Sequence, residues 1–372
     1  MQKIIVVGAG ILGASTAYQL AKKGAEVIII DRQDDGQATS AAAGIVCPWI
    51  SQRRNKAWYH LAKNGAAYYP GLIEELKRDG ETETGYAQVG AISLHTEEEK
   101  LKAMKDRAEK RKEDAPEMGT ITLLSPLETK KLFPPLAHEF AAVHVSGAAR
   151  VDGRALRDSL LRASQKNGAK FMYGEAILTY EDSQVTGVKV EDEFIAADKV
   201  IVCAGAWASE LLKPLGVNFK VSFQKAQIIH LQLPNTSTND WPVVMPPSDQ
   251  YLLAFDHNKI VAGATHENME VFDNRITAGG LQEVFNKALH TAPGLLESTF
   301  VEARVGFRPF TPGFLPVIGP LPDWENIIVA NGLGASGLTM GPYIGSQLAN
   351  LALDEKLDID LEKYDVKGAL EK

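Results

Sequence analysis

Three glycines near the start of the chain have the spacing of a loop that binds a dinucleotide. Gly8, Gly10 and Gly13 follow the β-branched run 3–7 and open a segment with helical spacing, and Asp31 lies 18 positions after Gly13. Gly8 would permit a tight turn, Gly10 would let backbone approach a pyrophosphate, and Gly13 would let the helix pack closely on the strand. The helix N-terminus would attract phosphates, and Asp31 would accept hydrogen bonds from a ribose. The pattern predicts a Rossmann-type site for either NAD or FAD.

A second glycine-rich stretch, N-G-L-G-A-S-G-L-T-M-G-P, lies at 331–342. Its glycines would allow close backbone approach to a ligand, and a helix beginning near Pro342 would point its positive end at the loop. Such a helix would favour a ligand that carries negative charge beside the loop. Ser336 is followed directly by Gly337, so the G-x-S-x-G pattern of a hydrolase elbow is not matched. The alternative is a plain glycine-rich connection before a core helix.

The elements that position these loops are of two kinds, which alternate along the chain. Buried β-branched runs followed by helical spacing indicate strand–helix–strand units, whereas residues 217–300 are rich in strands alone. We predict an α/β (α+β) fold with a Rossmann-like cofactor domain built from discontinuous segments and a strand-rich mixed-sheet substrate domain. The cofactor domain is assigned to 1–85, 148–216 and 301–372, and the substrate domain to 86–147 and 217–300.

Individual elements follow from periodicity and from glycine and proline punctuation. Helices are predicted at 14–23, 56–69 and 97–112, with one ending at 166 and one beginning near Pro342. Strands are predicted at 3–7, 27–30, 87–95, 170–173, 185–190, 200–203, 222–233, 251–255, 259–263 and 327–330.

The composition excludes several classes of function. The net charge of −8, from 39 Lys and Arg against 47 Asp and Glu, argues against nucleic-acid binding, which needs a basic face. The eight histidines show no metal-binding spacing, so we expect no metal. Cys47 and Cys203 are too few for a disulfide framework and indicate a reduced, cytoplasmic setting.

The apolar N-terminal run is interpreted as a folded core element. Lys22, Lys23 and Glu26 interrupt it, and no clean A-x-A-like cleavage site follows. It falls short of the roughly 20 apolar residues that a membrane-spanning helix needs, so no transmembrane segment is expected.

Four motifs in the same order give the chain a family resemblance. They are T-S-A-A-A-G-I-V at 39–46, V-I-V-C-A-G-A-W at 200–207, G-F-R-P-F-T-P-G-F-L-P-V-I-G at 306–319 and the loop at 331–342. With them the chain resembles the D-amino-acid oxidase superfamily nearly end to end, closest to glycine oxidase and the small-subunit type of D-amino-acid dehydrogenase. The resemblance implies non-covalent FAD, because Cys47 does not match the cysteine that attaches flavin in this superfamily.

The resemblance also implies which residues hold the cofactor. Residues near 38–45 would lie along the flavin and its phosphate chain, Ile177 would touch the adenine, and 333–339 would hold the pyrimidine end of the flavin. The full predicted set is Gly8, Gly10, Ile11, Leu12, Gly13, Asp31, Arg32, Ala38, Thr39, Ala43, Gly44, Ile45, Ile177, Ala204, Gly205, Leu333, Gly334, Ala335, Ser336, Gly337, Leu338 and Thr339.

Arg308 matches the arginine that binds the substrate carboxylate in this superfamily, through two parallel charge-assisted hydrogen bonds. Tyr251 matches the glycine-oxidase tyrosine that assists it, although a half-buried strand aromatic is nearly as good an interpretation. Arg304 is a weaker candidate, favoured as structural. Where glycine oxidase has a second active-site arginine, this chain has Ala335, which points to a broader amino-acid dehydrogenase.

The predicted function is FAD-dependent dehydrogenation of the C–N bond of a small carboxylate-bearing amine, by hydride transfer to flavin N5. The substrate would be a D-amino acid, a glycine- or sarcosine-like amine, or an opine-like secondary amine. Oxygen or a quinone or other electron-transfer partner would reoxidise the flavin. The oligomeric state is open, a homo-oligomer included. The alternatives are an NAD-dependent dehydrogenase and a non-catalytic flavin-binding subunit.

Overall fold

The fold is described from a computed structural model of residues 1–371. Its helices are α1 (Ile11–Lys22), α2 (Lys56–Arg78), α3 (Glu98–Lys112), α4 (Pro126–Leu132), α5 (Gly153–Lys166), α6 (Ala208–Leu212), α7 (Ala278–Thr291) and α8 (Gly337–Ala352). Its strands are β1 (Lys3–Val7), β2 (Glu26–Asp31), β3 (Ile45–Val46), β4 (Ala91–His95), β5 (Ile121–Leu124), β6 (Ala141–Val145), β7 (Ala149–Arg150), β8 (Lys170–Tyr173), β9 (Ala176–Glu181), β10 (Gln184–Val190), β11 (Glu193–Ala196), β12 (Lys199–Val202), β13 (Ser222–Gln232), β14 (Val243–Met245), β15 (Tyr251–Phe255), β16 (Lys259–Gly263), β17 (Glu267–Met269), β18 (Thr299–Phe310), β19 (Val317–Pro320) and β20 (Ile327–Asn331).

A six-stranded sheet has the order β19-β20-β12-β1-β2-β8, parallel except for the edge strand β19. Strands buried on both faces need apolar residues throughout, and β1 and β2 supply Ile and Val runs. Helices α1 and α8 cover one face, and the three-stranded sheet β11-β10-β9 lies beyond the other. This is a Rossmann-like parallel sheet with helices on one face and a small sheet on the other, and its strand order reverses between β1 and β12.

A second, nine-stranded sheet has the order β17-β13-β16-β15-β14-β4-β6-β5, with β18 paired to β13. It is mixed, because β14 and β4 are parallel while the other pairs are antiparallel. The predicted α/β class, a Rossmann-like sheet beside a strand-rich mixed sheet, is confirmed. Strand β18 begins before residue 301, where the predicted cofactor segment starts, and continues past it. It stays extended and paired with β13 as far as Phe310, so its residues belong to the nine-stranded sheet.

Two helices pass through prolines at which the sequence predicted a boundary. Helix α2 was expected to end at 69, but it continues through Pro70 to Arg78. A proline inside a helix costs about 3 kcal/mol, whereas burying a large apolar side chain contributes about 1.5–3 kcal/mol. Leu72, Ile73 and Leu76 are all buried beyond Pro70, and their burial offsets the cost.

Helix α8 begins at Gly337, five residues before the predicted start at Pro342. Pro342 has no N–H to donate to the carbonyl oxygen of Leu338, one helical turn back. The hydroxyl of Tyr69, on α2, donates to that oxygen instead, at 2.5 Å. A contact between distant segments therefore completes the helix, and no local pattern could predict it.

Candidate active site

A cavity of about 460 Å3 lies between the two large sheets. The carboxyl ends of β1, β2 and β20 reach it with Val7, Asp31 and Asn331, and the nine-stranded sheet contributes residues of β13, β15 and β18. In open α/β sheets, ligands bind at this edge, where the strand order reverses. The cavity is therefore where the Rossmann topology expects a cofactor.

At the first glycine loop, two glycines are required by the protein's own packing and one is not. A Cβ on Gly8 would lie 2.5 Å from the carbonyl oxygen of Cys203, and a Cβ on Gly13 would lie 1.8 Å from that of Gly8. At Gly10 the nearest atom to a Cβ is the Thr39 hydroxyl oxygen, at 3.4 Å, and Gly10 lines the cavity. The chain thus has room for a side chain at Gly10 and omits it, which leaves a cradle for a ligand.

The N-terminus of α1 faces this cradle. No acidic residue lies in its first turn, so its positive end is free to attract an anion. The N–H of Ile11 donates to the Thr39 hydroxyl at 2.9 Å, which fixes the 38–45 segment to the helix. Of the predicted residues in this loop, Gly13 does not line the cavity, because it serves the packing of helix on strand.

Asp31, at the end of β2, is buried against the cavity. Its carboxylate accepts from the backbone N–H of Ala9 at 2.5 Å, from that of Gln33 at 2.5 Å and from the Gln37 amide at 2.9 Å. These bonds hold the carboxylate in place, and its two oxygens keep acceptor capacity for a hydroxyl. Asp31 is therefore able to accept a hydrogen bond from a ribose hydroxyl, and its role in binding a ribose stays a prediction.

Arg32 also lines the cavity, but its guanidinium is already paired. It contacts Asp34 at 2.6 Å, Glu175 at 2.9 Å and Glu210 at 2.8 Å. Three carboxylates around one arginine leave little positive charge for a phosphate. Ile177, 49% exposed, lines the same end. This end of the cavity therefore has an apolar contact surface beside a fixed ion-pair cluster.

The glycine loop before α8 meets the 38–45 segment from the other side. The Thr339 hydroxyl donates to the carbonyl oxygen of Ile45 at 2.8 Å. The Asn331 amide accepts from Gly332 N–H at 2.6 Å and donates to the carbonyl oxygen of Gly205 at 2.8 Å, which joins this loop to the turn after β12. Three separate parts of the chain are thus fixed around one space.

Most of the predicted cofactor residues line this cavity. They are Gly8, Gly10, Ile11, Leu12, Asp31, Arg32, Ala38, Thr39, Ala43, Gly44, Ile45, Ile177, Ala204, Gly205, Leu333, Gly334, Ala335, Gly337, Leu338 and Thr339. Ser336 does not line it: the Ser336 N–H donates to the carbonyl oxygen of Leu333 at 3.0 Å, in the turn that leads into α8.

The far end of the cavity carries an arginine without an acidic partner. Arg308 lines it from β18, and its Nη1 lies 3.5 Å from the amide oxygen of Gln224 on β13. It forms no salt bridge with any carboxylate in residues 1–371. Arg304, four residues earlier on the same strand, pairs with Glu302 and donates to the carbonyl oxygen of Ser40 at 3.4 Å. Arg304 is therefore neutralised within the protein, whereas Arg308 is left for an anion.

Tyr251 lines the cavity beside Arg308. Burial raises the pKa of its hydroxyl, and the Arg308 charge opposes that rise. The hydroxyl is thus neutral and can donate a hydrogen bond. Arg308 and Tyr251, distant in sequence, are brought to the same end of the cavity, as the sequence predicted.

His266 and Asp249 line this end too, and sequence reasoning missed both. His266 Nδ1 lies 3.2 Å from an Asp249 oxygen, and Lys287 on α7 lies 3.1 Å from the other. Burial and then the charge of Arg308 lower the pKa of His266, while Asp249 raises it. No motif marks these residues, since only the pairing of strands brings them to Arg308.

Trp207 was also missed as a wall residue, although it ends the A-G-A-W motif. Its ring stacks on Phe272 at 5.0 Å between centroids, and Phe272 stacks on Phe223 at 4.2 Å. Of these three rings, Trp207 lines the cavity.

Both cysteines are buried. Burial raises the pKa of both Cys47 and Cys203 to about 12, so the thiols stay protonated at neutral pH.

Across residues 1–371 no helix has both the length and the apolar character to span a bilayer.

Comparison with known proteins gives consistent results. The family model described as "DAO: FAD dependent oxidoreductase" matches residues 3–351. A Bacillus subtilis (strain 168) protein named "Uncharacterized oxidoreductase YurR" is 62% identical over 371 residues, which is 100% of both chains. The crystal structure of iminodiacetate oxidase (IdaA) from Chelativorans sp. BNC1 is 46% identical, with a TM-score of 0.95 over 97% of this chain and 98% of that one. Glycine oxidase from Geobacillus kaustophilus has a TM-score of 0.86 at 25% identity, over 98% and 99%.

Proposed function

The chain belongs to the DAO family of FAD-dependent oxidoreductases, and from this premise we propose that it oxidises the C–N bond of a small amine that carries a carboxylate. The family settles the choice between FAD and NAD that the glycine motif left open. It also makes the chain an oxidoreductase, in place of a non-catalytic flavin-binding subunit.

The cavity of this chain fits FAD. The cradle at Gly10 and the N-terminus of α1 would take the diphosphate, and Asp31 the adenosine ribose. The small residues Ala38 and Ala43 and the loop before α8 would border the isoalloxazine ring. When bound, FAD supplies a two-electron acceptor for the hydride of the substrate carbon.

The observation that carries the substrate class is the unpaired guanidinium of Arg308. A partly buried cation that faces a cavity without a carboxylate partner is a ready site for an anionic ligand. Tyr251 adds a neutral hydroxyl donor beside it. Together they would hold the substrate carboxylate and so orient the carbon next to it, which is how positioning lowers a barrier.

The neighbours support amine oxidation. Iminodiacetate and glycine, named in two similar structures, are amines that carry carboxylates. Ala335 lines the cavity, and its methyl group offers no second charge in the glycine loop. We therefore infer that the substrate is an N-substituted or otherwise small amino acid rather than glycine alone.

The test is anaerobic reduction of the FAD-loaded protein by a panel of amines. The panel contains glycine, sarcosine, iminodiacetate, proline and several D- and L-amino acids, with methylamine as the control that lacks a carboxylate. Bleaching of the flavin absorption by carboxylate-bearing members but not by methylamine is expected. Bleaching by none of them would refute the proposal. Reoxidation by oxygen and by an artificial dye, measured on the same samples, distinguishes an oxidase from a dehydrogenase.

A further inference from the structure

Strand pairing places a row of polar residues on one face of the nine-stranded sheet. Arg308 on β18 is opposite Gln224 on β13, which is opposite Asn268 on β17. His266 immediately precedes β17, two positions before Asn268, and lines the cavity. Asp249 lies in the bend before β15, two positions before Tyr251. Arg308, His266, Tyr251 and Asp249 line the cavity, whereas Gln224 and Asn268 do not, so His266 and Arg308 face the same space.

This end of the cavity has more basic side chains than a substrate with a single carboxylate would contact. The basic side chains that line the cavity are Arg308, His266 and Arg32, and Arg32 lies at the other end with three carboxylate partners. One carboxylate on Arg308 would leave His266 in contact with Asp249 but with no substrate group. A second carboxylate on the substrate could bind His266.

We propose that His266 binds the second carboxylate of a dicarboxylate amine whose first carboxylate lies on Arg308. The inference rests on the proposed function and deepens it, because it names the substrate class as a secondary amine between two short carboxylate arms. His266 is then the residue that separates dicarboxylates from monocarboxylates.

The groups around His266 determine its charge before and after binding. Arg308 and Lys287 disfavour its protonated form, Asp249 and Glu283 favour it, and burial together with Arg308 keeps its pKa below the ordinary value. Burial raises the pKa of Asp249, but the opposing effects, led by Lys287, are together larger, so the net pKa is lowered and the carboxylate stays ionised. At pH 7.5 the free site therefore holds a neutral His266. A carboxylate placed beside it raises the pKa of the ring, and binding takes up a proton.

The experiment measures that proton directly with ligands that contain no C–N bond. Thiodiacetate carries two carboxylates on a thioether, and (methylthio)acetate carries one. Each is titrated into the FAD-loaded protein by calorimetry at pH 7.5, in two buffers of different ionisation enthalpy, so that proton uptake is the difference between the measured heats. Thiodiacetate should bind with uptake approaching one proton, and (methylthio)acetate more weakly without uptake.

Three variants make the assignment specific. His266→Gln should lose the proton uptake and bind thiodiacetate about tenfold more weakly, since a charge-assisted bond is lost, while (methylthio)acetate binding is unchanged. His266→Arg should keep the affinity but show no uptake. His138→Gln, at a side chain 92% exposed, is the matched control and should behave as wild type.

Uptake that persists in His266→Gln, or an equal loss of affinity for both ligands, would overturn the inference, as would wild-type protein that does not prefer thiodiacetate. Failure of the proposed function gives a different result, since no amine would then bleach the flavin whatever the binding data. If amines bleach the flavin but His266→Gln weakens the reaction with sarcosine and with iminodiacetate equally, this inference alone is overturned.

Discussion

Removing the guanidinium of Arg308 is the perturbation whose size the structure best defines. Arg308→Met keeps an unbranched apolar side chain but removes the guanidinium from this end of the cavity. A charge-assisted hydrogen bond contributes about 1.5–3 kcal/mol, and about 1.4 kcal/mol corresponds to tenfold in an equilibrium constant. Arg308 is only partly buried, so water and Tyr251 would replace some of the lost interaction. We expect KM for carboxylate substrates to rise by one to two orders of magnitude.

The assay compares KM and kcat of the FAD-loaded variants with those of wild type. Arg308→Lys, which keeps the charge but loses the two parallel bonds, should fall between wild type and Arg308→Met. Arg275→Met removes an arginine that is 80% exposed and paired with Asp273, and should leave both constants unchanged. An unchanged KM in Arg308→Met, with FAD content equal to wild type, would remove Arg308 from the substrate site.

Three further predictions concern the scaffold. Gly8→Ala places a Cβ 2.5 Å from the Cys203 carbonyl oxygen at a φ of +101°, so the purified variant should lose FAD and unfold at a lower temperature; a wild-type flavin-to-protein ratio would contradict this. Tyr69→Phe leaves the Leu338 carbonyl without its donor and should cost about 1–3 kcal/mol in urea unfolding; a loss below about 0.5 kcal/mol would contradict the proposed compensation for the proline in α8. Burial and then Arg304 lower the pKa of His230 to about 4. Because His230 takes up a proton at a higher pH in the unfolded chain than in the folded one, the free energy of unfolding should fall by up to about 3 kcal/mol between pH 6.5 and pH 4. His230→Phe should reduce this pH dependence, and an unchanged dependence would assign it to other groups.

Local patterns predicted the elements that local chemistry determines. The strands at 3–7, 170–173, 251–255 and 259–263 have the predicted bounds, because β-branched or aromatic runs end at glycines or polar turns. The helix boundaries at Pro70 and Pro342 were wrong, because burial and a hydroxyl from a distant helix outweigh the local cost of proline. Tertiary contacts decided these cases, and a single sequence does not display them.

The residues of the candidate site also differ in whether a local sequence pattern reveals them. Gly8 and Gly10 shape the backbone, and Asp31 contributes a carboxylate at a fixed spacing from them, so their pattern is visible in the sequence. Arg308 needed a family resemblance as well, because an isolated arginine in a strand is as consistent with an ion pair such as that of Arg304. His266 lies just before β17, and the pairing of β17 and β18 with β13 brings it to the cavity that Arg308 lines, which no local signal encodes.

The central claim is that the Arg308 guanidinium holds a substrate carboxylate within the cavity that binds FAD. A crystal structure of the FAD-loaded protein with thiodiacetate bound tests it most directly. The account predicts one carboxylate with both oxygens about 3 Å from the Arg308 guanidinium nitrogens. Thiodiacetate bound elsewhere, with Arg308 turned away from the flavin, would contradict it.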